Sequence, residues 1–377
     1  MTIDVQGYCA PEFTAVKEAF TRHFESELDI GASVALTVSG VGVVDLWAGE
    51  MVDADGEKWQ QDTLVNVWST TKTMAAIVML MLADRGELDF YEKVASYWPE
   101  FAQNGKQDIE VRHIMSHSAG LASVEQPIVM NDFCDHEKII KLLEAQAPWW
   151  VPGTESGYHA ITQGHLQNEL VRRITGQTLG VFFKEQVAEP LGADFHIGTS
   201  ESLLPRIGFL QPPEPRDMQG MPTDSVAART MNNPTMDALA PRTQAWRGAE
   251  IPAANGHGNA RSVARIHSAI ARGGEVDGIR LLSEAGCRRI FDEQTNGIDL
   301  VLGTPVRFGM GFGLNTESRE FSPNANACYW GGWGGSLSQI DLDAEMSFAY
   351  VMNRMRSGTT GDMRAATLLA AAYECLA

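Results

Sequence analysis

Segments typical of β-strands lie at the two ends of this 377-residue chain, and the stretch between them is mostly helical in pattern. Residues Ala32 to Trp47 are rich in valine and turn at Ser39-Gly40-Val41-Gly42, which predicts an early β-hairpin. Near the other end we predict strands at Ser338 to Ile340 and Met346 to Met352, followed by a helix from Gly361 to Leu376. This order favours one α/β domain built from both termini, with a mainly helical domain inserted.

Three segments of the middle are predicted as helices: Thr73 to Arg85, His136 to Ala147 and Ile161 to Thr175. We therefore place the α/β domain at residues 1–70 and 290–377, and the mainly helical domain at 71–289. Within the latter, residues 205–252 hold eight of the 16 prolines and predict long loops of the kind that wall or cover a site. The active-site cleft is expected between the two domains.

The charge balance limits the partners of this protein. A total of 29 Lys and Arg against 48 Asp and Glu gives a formal net charge of −19, which argues against nucleic acid. The longest apolar run, Met74 to Ala83, is too short to span a membrane. The N-terminus does not have the pattern of a signal peptide, and the five scattered cysteines fit reduced thiols. We expect a cytoplasmic protein and leave its oligomeric state open.

One short motif carries catalytic potential: Ser69-Thr70-Thr71-Lys72, an S-x-x-K pattern where a polar stretch runs into an apolar helix. Residues three apart share a helix face, so the Lys72 amine can accept or relay the proton of the Ser69 hydroxyl. Burial and the positive end of the helix both lower the pKa of such a lysine. The backbone N–H of Ser69 is a predicted oxyanion donor. The sequence holds neither a G-x-S-x-G elbow nor a phosphate-binding loop.

A metal centre is not expected. His113 and His117 stand four apart and could share a helix face, but no carboxylate or third histidine follows at a convincing spacing. We therefore interpret both histidines as structural, and we expect neither a metal nor an organic cofactor.

Beyond this motif, the chain resembles serine hydrolases with the fold of class C β-lactamases and penicillin-binding proteins, especially the family VIII carboxylesterases. The resemblance covers nearly the whole length, through the blocks VWSTTKTMAAIVMLMLADRGELDF, VRHIMSHSAGL, PGTESGYHAITQGHLQNELVRRITGQTLGVFFKEQVAEPLGA, GNARSVARIHSAIARGG and WGGWGGS. It implies a β-lactamase/transpeptidase-like fold of α/β (α+β) class. That fold is an antiparallel sheet flanked by helices, with an inserted mainly helical domain.

The resemblance also implies a third catalytic residue. Tyr158 matches the tyrosine of the second family motif, whose phenol helps to move the proton of the nucleophile. The Y-x-N pattern of β-lactamases is not kept, because Ala160 stands where their asparagine binds the substrate amide. This departure weakens the case for lactam substrates.

The third family motif is altered as well. No lysine follows Lys184, so the K-T-G of β-lactamases is replaced by Trp330-Gly331-Gly332, which resembles the W-G-G variant of the esterase branch. By this resemblance all three residues bind substrate, and the N–H of Trp333 is the second oxyanion donor. An indole in place of an ammonium group favours neutral esters over anionic lactams.

The sequence therefore predicts a serine carboxylesterase that hydrolyses small, short-chain, neutral esters through an acyl-enzyme on Ser69, with a weak β-lactamase side activity. A β-lactamase, a D,D-peptidase or an acyltransferase on the same fold is the enzymatic alternative. An inactive homologue that binds a ligand or partner is the alternative of another class. The presence of Ser69, Lys72 and Tyr158 together argues against the inactive homologue.

Overall fold

The computed structural model describes residues 3–52, 56–214 and 224–376. Its strands are β1 (Gln6–Cys9), β2 (Gly31–Val38), β3 (Val41–Gly49), β4 (Val65–Asn66), β5 (Phe195–Ile197), β6 (Gly256–Gly258), β7 (Glu275–Val276), β8 (Ile279–Arg280), β9 (Thr295–Ile298), β10 (Pro305–Phe308), β11 (Gly313–Leu314), β12 (Ala327–Gly331), β13 (Leu337–Asp341) and β14 (Met346–Met352). Its helices are α1 (Thr14–Glu25), α2 (Thr71–Asp84), α3 (Val94–Tyr97), α4 (Val111–Met115), α5 (His136–Ala145), α6 (Thr162–Thr175), α7 (Leu179–Phe183), α8 (Glu189–Leu191), α9 (Val226–Asn232), α10 (Gln244–Gly248), α11 (Ala260–Ala271), α12 (Glu284–Arg288) and α13 (Met363–Leu376).

An antiparallel sheet joins the two ends of the chain. Within the described residues it has nine strands in the order β1-β3-β2-β14-β13-β12-β11-β10-β9. The predicted hairpin is confirmed: β2 and β3 are joined by Ser39 and Gly40, whose φ angles of 49° and 81° suit a tight hairpin turn. Strand β14 pairs with β2, with Val34 opposite Tyr350, so the C-terminal segment completes a sheet begun at the N-terminus.

Helices cover both faces of this sheet. On one face, Ser347 of β14 donates a hydrogen bond to the carbonyl of Ala264 in α11. Tyr350 points to the opposite face, because side chains alternate along a strand, and its ring lies against His23 of α1. Helix α11 lies within the range 71–289 that we assigned to the helical domain, yet it packs on β2 and β14. We therefore propose that the α/β domain also includes α11, because its apolar face needs the sheet for burial.

Helix α2 forms the centre of the molecule. Its residues from Thr71 to Ala83 are all buried, as expected of a helix that is apolar on every side. The predicted helices in the middle correspond to α2, α5 and α6. The Pro-rich stretch 205–252 is not loop alone, since it holds α9 and α10, while its residues 215–223 lie outside the described ranges. Among the described helices, none has the length and apolar character needed to cross a membrane.

Candidate active site

Ser69 lies in a single 3-10 turn, Trp68–Thr70, that connects β4 to α2. The preceding residue, Trp68, has a φ of 47°, a conformation that costs a bulky side chain energy. Its indole packs between Trp246 and Trp333, at centroid distances of 5.4 and 4.9 Å, and this packing holds the turn in place. Ser69 therefore stands at a rigid corner at the start of a buried helix.

Lys72 is fully enclosed beside Ser69. Its Nζ atom lies 3.1 Å from Ser69 Oγ, 2.6 Å from the carbonyl oxygen of Ala160 and 2.9 Å from that of Ala253. Burial lowers the pKa of Lys72 well below its ordinary value. A neutral amine has two N–H groups and one lone pair. The two carbonyls accept the two N–H groups, and the lone pair is left to accept the Ser69 hydroxyl proton.

Tyr158 is buried on the other side of the nucleophile. Its hydroxyl interacts with the Ser69 side chain, and the Trp330 indole N–H donates to it at 3.3 Å. Its ring centre lies 4.8 Å from Lys72 Nζ. Burial raises the pKa of Tyr158, and the charge of Asp299 adds to this effect, while the contacts with Ser69 and Trp330 oppose it. Tyr158 is therefore a neutral phenol that can receive a proton only as it gives one up.

Asp299 fixes the main chain at Tyr158. Its fully buried carboxylate accepts hydrogen bonds from the backbone N–H groups of Tyr158 at 3.0 Å and of Val301 and Leu302 at 2.9 Å each. Nothing in the sequence around Asp299 marks it, because it lies far from Tyr158 along the chain. Only the folded structure identifies this residue.

His117 also supports Tyr158, through packing. The two ring centres are 4.8 Å apart, and His117 Nδ1 accepts the backbone N–H of His159 at 3.0 Å. Burial lowers the pKa of His117 well below its ordinary value, so the ring is neutral. His113 accepts the backbone N–H of Glu110. In the described part of the chain, no group of three or more His, Cys, Asp or Glu side chains is placed to hold a metal ion.

The W-G-G segment forms the end of β12 and the residue after it, and its backbone approaches the nucleophile. A Cβ atom on Gly332 would stand 2.2 Å from the carbonyl oxygen of Val67, so only glycine fits there. The N–H of Trp333 donates no backbone hydrogen bond within the described residues, and it is the predicted second oxyanion donor. Trp330 itself is buried against Tyr158 and is not among the residues that line the cavity over Ser69.

A cavity of about 430 Å³ opens above Ser69 and Tyr158. Its walls are mainly apolar and include Trp68, Ile161, Pro212, Met231, Met236 and Trp333. Glu214 lines the cavity, and its described lining residues include no Lys, Arg or His. Pro212 and Met231 come from the Pro-rich stretch, so the described part of that stretch does form a wall of the site.

Comparisons with known proteins agree with this architecture. The family model described as Beta-lactamase matches residues 20–373. The chain is 34% identical over 365 residues to the esterase/beta-lactamase LipL of Mycobacterium tuberculosis, covering 94% of this chain and 84% of LipL. It is also similar to the crystal structure of a family VIII carboxylesterase, at 40% identity and a TM-score of 0.93, covering 99% of this chain and 100% of the other. A penicillin-binding protein homologue from Caulobacter crescentus matches at 36% identity and a TM-score of 0.92, covering 99% and 100% of the two chains. The predicted family is confirmed: this chain belongs to the Beta-lactamase family.

Proposed function

We propose that this protein is a serine carboxylesterase that hydrolyses small, neutral, short-chain carboxylic esters through an acyl-enzyme on Ser69. The observation that carries the proposal is the contact of Ser69 Oγ with the amine of Lys72, whose pKa burial has lowered. Two similar proteins support the proposal. The relative LipL is named an esterase/beta-lactamase, and a structural neighbour is named a family VIII carboxylesterase. The reaction uses neither a metal nor an organic cofactor in this proposal.

In the acylation step, Ser69 Oγ attacks the ester carbonyl carbon while Lys72 accepts the hydroxyl proton. The carbonyl oxygen becomes an oxyanion, which the N–H groups of Ser69 and Trp333 stabilise. When the intermediate collapses, the bond from carbon to the alcohol oxygen breaks. Tyr158 gives its proton to the departing alkoxide and recovers one from Lys72, so the alcohol leaves neutral.

In the deacylation step, water attacks the acyl carbon of the ester on Ser69. Lys72 accepts one proton of the water molecule, and Tyr158 can relay it by giving up its own proton as it receives one. The same two N–H groups stabilise the second oxyanion. Collapse of this intermediate breaks the bond to Ser69 Oγ, which takes the proton back from Lys72, 3.1 Å away. The products are the carboxylic acid and the free enzyme.

The cavity favours neutral substrates. Its described walls are mainly apolar and carry the carboxylate of Glu214 without a cation, so a substrate carboxylate loses hydration without gaining a partner. Trp330 stands where β-lactamases have a lysine, and Ala160 where they have an asparagine. We therefore rank ester hydrolysis above β-lactam hydrolysis and keep the latter as a weak side activity.

A cytoplasmic location belongs to the same proposal. All five cysteines lie in the described residues and are free thiols. Thiols of this kind are usual in reducing compartments, whereas secreted proteins more often form disulfides.

The test is hydrolysis of p-nitrophenyl acetate, p-nitrophenyl butyrate and a chromogenic cephalosporin by the purified protein and its Ser69→Ala variant. Ser268→Ala is the matched control, since it removes a buried hydroxyl that bonds only within α11. We expect ester turnover that is lost in Ser69→Ala and kept in Ser268→Ala, with little cephalosporin cleavage. Ester turnover that survives in Ser69→Ala would contradict the proposal, and faster cephalosporin cleavage would favour the β-lactamase alternative.

A further inference from the structure

Ser336 directly precedes β13, where the nucleophile segment and the W-G-G turn meet. Its side chain is 1% exposed. The Ser336 hydroxyl donates to the carbonyl oxygen of Val67 at 2.9 Å and lies 3.0 Å from Thr70 Oγ1. Val67 and Thr70 stand on either side of Ser69 along the chain. The Ser336 side chain therefore holds both flanks of the nucleophile.

The main chain of Ser336 holds the segment that carries Trp333, the second predicted oxyanion donor. Its carbonyl oxygen accepts the N–H of Gly332 at 2.8 Å, and Gly332 directly precedes Trp333. On the far side of the turn, the buried guanidinium of Arg364 donates to the carbonyl of Gly334 at 2.7 Å. Trp333 thus lies between two anchored residues. Ser336 anchors Gly332 and Arg364 anchors Gly334. Of these two, Ser336 also holds the nucleophile segment.

The distance between the two oxyanion donors matters more than the stability of either segment. Both N–H groups must lie about 2.7–3.1 Å from the same developing oxyanion. Ser69 and Trp333 are far apart in sequence, so no local geometry sets their separation. A shift of about 1 Å between groups that act on one reacting atom can cost on the order of 100-fold in rate.

We propose that Ser336 is a positioning residue that sets the distance between the two arms of the oxyanion hole. The proposal rests on the proposed esterase function. Ser336 does not touch the substrate, and it acts through Ser69 and Trp333. Its hydroxyl matters to the transition state and much less to substrate binding, because the oxyanion exists only in the former.

The experiment compares Ser336→Ala with Ser347→Ala. Ser347 is an unusually close match, since it is also buried and its hydroxyl also meets one carbonyl, that of Ala264, and one threonine hydroxyl, that of Thr37. It lies on β14 against α11 and touches neither oxyanion segment. Both variants lose the same buried group, so both should lose similar thermal stability.

Each variant is measured for kcat and KM with p-nitrophenyl butyrate, for inhibition by phenylboronic acid and for melting temperature. Phenylboronic acid forms a tetrahedral adduct with a nucleophilic serine and so probes the oxyanion hole. For Ser336→Ala we expect a kcat roughly 10- to 100-fold lower, a KM within about twofold and inhibition weakened in proportion to kcat. For Ser347→Ala we expect kcat, KM and the inhibition by phenylboronic acid to stay within about twofold of the parent.

A kcat for Ser336→Ala equal to that of Ser347→Ala would overturn the inference, as would a lower kcat with unchanged inhibition. Thr70→Val is a second route if Ser336→Ala does not fold. It should lower kcat in the same direction. Where Ser336→Ala does fold, the two losses should not add in the double variant. Full additivity would count against the inference. Ser69→Ala separates the two proposals: if it stays active the esterase mechanism fails, whereas if it is inactive only the role of Ser336 is in question.

Discussion

The Nζ atom of Lys72 lies 3.1 Å from Ser69 Oγ, inside a pocket where two main-chain carbonyls are its other hydrogen-bond partners. Desolvation is the cause of its lowered pKa. A carboxylate beside the amine would have favoured the ammonium form and removed the lone pair. The site is thus built to keep a lysine neutral and pointed at a serine.

The first prediction concerns the pH dependence of kcat/KM. Activity needs neutral Lys72, so kcat/KM should rise as the pH passes through the lowered pKa of Lys72. The midpoint of this rise should lie well below the ordinary lysine value near 10.5. Lys72→Arg, which puts a permanently protonated side chain there that cannot accept a proton at these pH values, should lose at least roughly 100-fold in kcat/KM. The pH–rate profile with p-nitrophenyl butyrate checks both points. An active Lys72→Arg enzyme with the parental profile would refute a base role for Lys72.

The second prediction concerns the Tyr158 hydroxyl. Tyr158→Phe keeps the ring that packs on His117 but removes the group that interacts with Ser69. We expect kcat to fall by roughly 10²- to 10⁴-fold, as for loss of an acid–base group. Tyr97→Phe is the control, since its hydroxyl accepts the N–H of Asp89 on the surface. If both variants keep parental kcat, Tyr158 is a structural aromatic residue.

The third prediction concerns Gly332. In Gly332→Ala the new Cβ would stand 2.2 Å from the Val67 carbonyl and 2.4 Å from Ser336 Oγ, so the backbone must move and carry Trp333 with it. We expect kcat to fall by on the order of 100-fold. Gly297→Ala is the control, because nothing lies within 4 Å of its new methyl group. Parental kcat in Gly332→Ala would mean that the W-G-G turn does not supply an oxyanion donor.

The fourth prediction concerns substrate charge. A p-nitrophenyl ester of succinic acid, which keeps one free carboxylate, should have a kcat/KM roughly tenfold or more below that of p-nitrophenyl butyrate, because Glu214 repels it. Glu214→Gln should narrow this gap, and the exposed Glu18→Gln on α1 should not. Equal kcat/KM values for the two esters would contradict the proposed preference for neutral substrates.

The fifth prediction concerns acid stability. Asp29 is buried, which by itself raises its pKa, but contacts with His23, Arg364 and Tyr350 outweigh burial and the pKa is lowered. The Asp29 charge therefore stabilises the fold above the carboxyl's ordinary pKa, and this contribution is lost as pH falls through the lowered one. Asp29→Asn should reduce the free energy of unfolding by roughly 1.5–3 kcal/mol at pH 7, because buried Arg364 loses one of its two carboxylate partners and keeps only Asp362.

Urea unfolding at pH 7 and at pH 3 checks this. The difference between the parent and Asp29→Asn should shrink at pH 3. The exposed Asp108→Asn, which removes a surface ion pair with Lys93, should leave the free energy of unfolding unchanged within error. A difference between the parent and Asp29→Asn that is independent of pH would show that the charge of Asp29 is not responsible.

Local features of this protein followed from the sequence. The Ser39-Gly40 hairpin depends on two neighbouring residues, and the approach of Lys72 to Ser69 depends on one turn of helix. The S-x-x-K motif and the blocks around it led to the correct family, because each is a short contiguous pattern. Strands β13 and β14 were predicted from the segments that flank an acidic turn, and most of β14 is a run of apolar residues.

Tertiary packing decided the rest. The carbonyls of Ala160 and Ala253 that accept the N–H groups of Lys72, the carboxylate of Asp299 behind Tyr158 and the Ser336 hydroxyl all come from segments distant in sequence. Helix α11 packs on the sheet, and the Trp330 side chain lies against Tyr158 and does not line the cavity. A sequence pattern fixes what a residue's near neighbours do, because helix and strand periodicity is local. Which distant groups meet around a catalytic lysine depends on how apolar faces pack, and only the folded chain determines that.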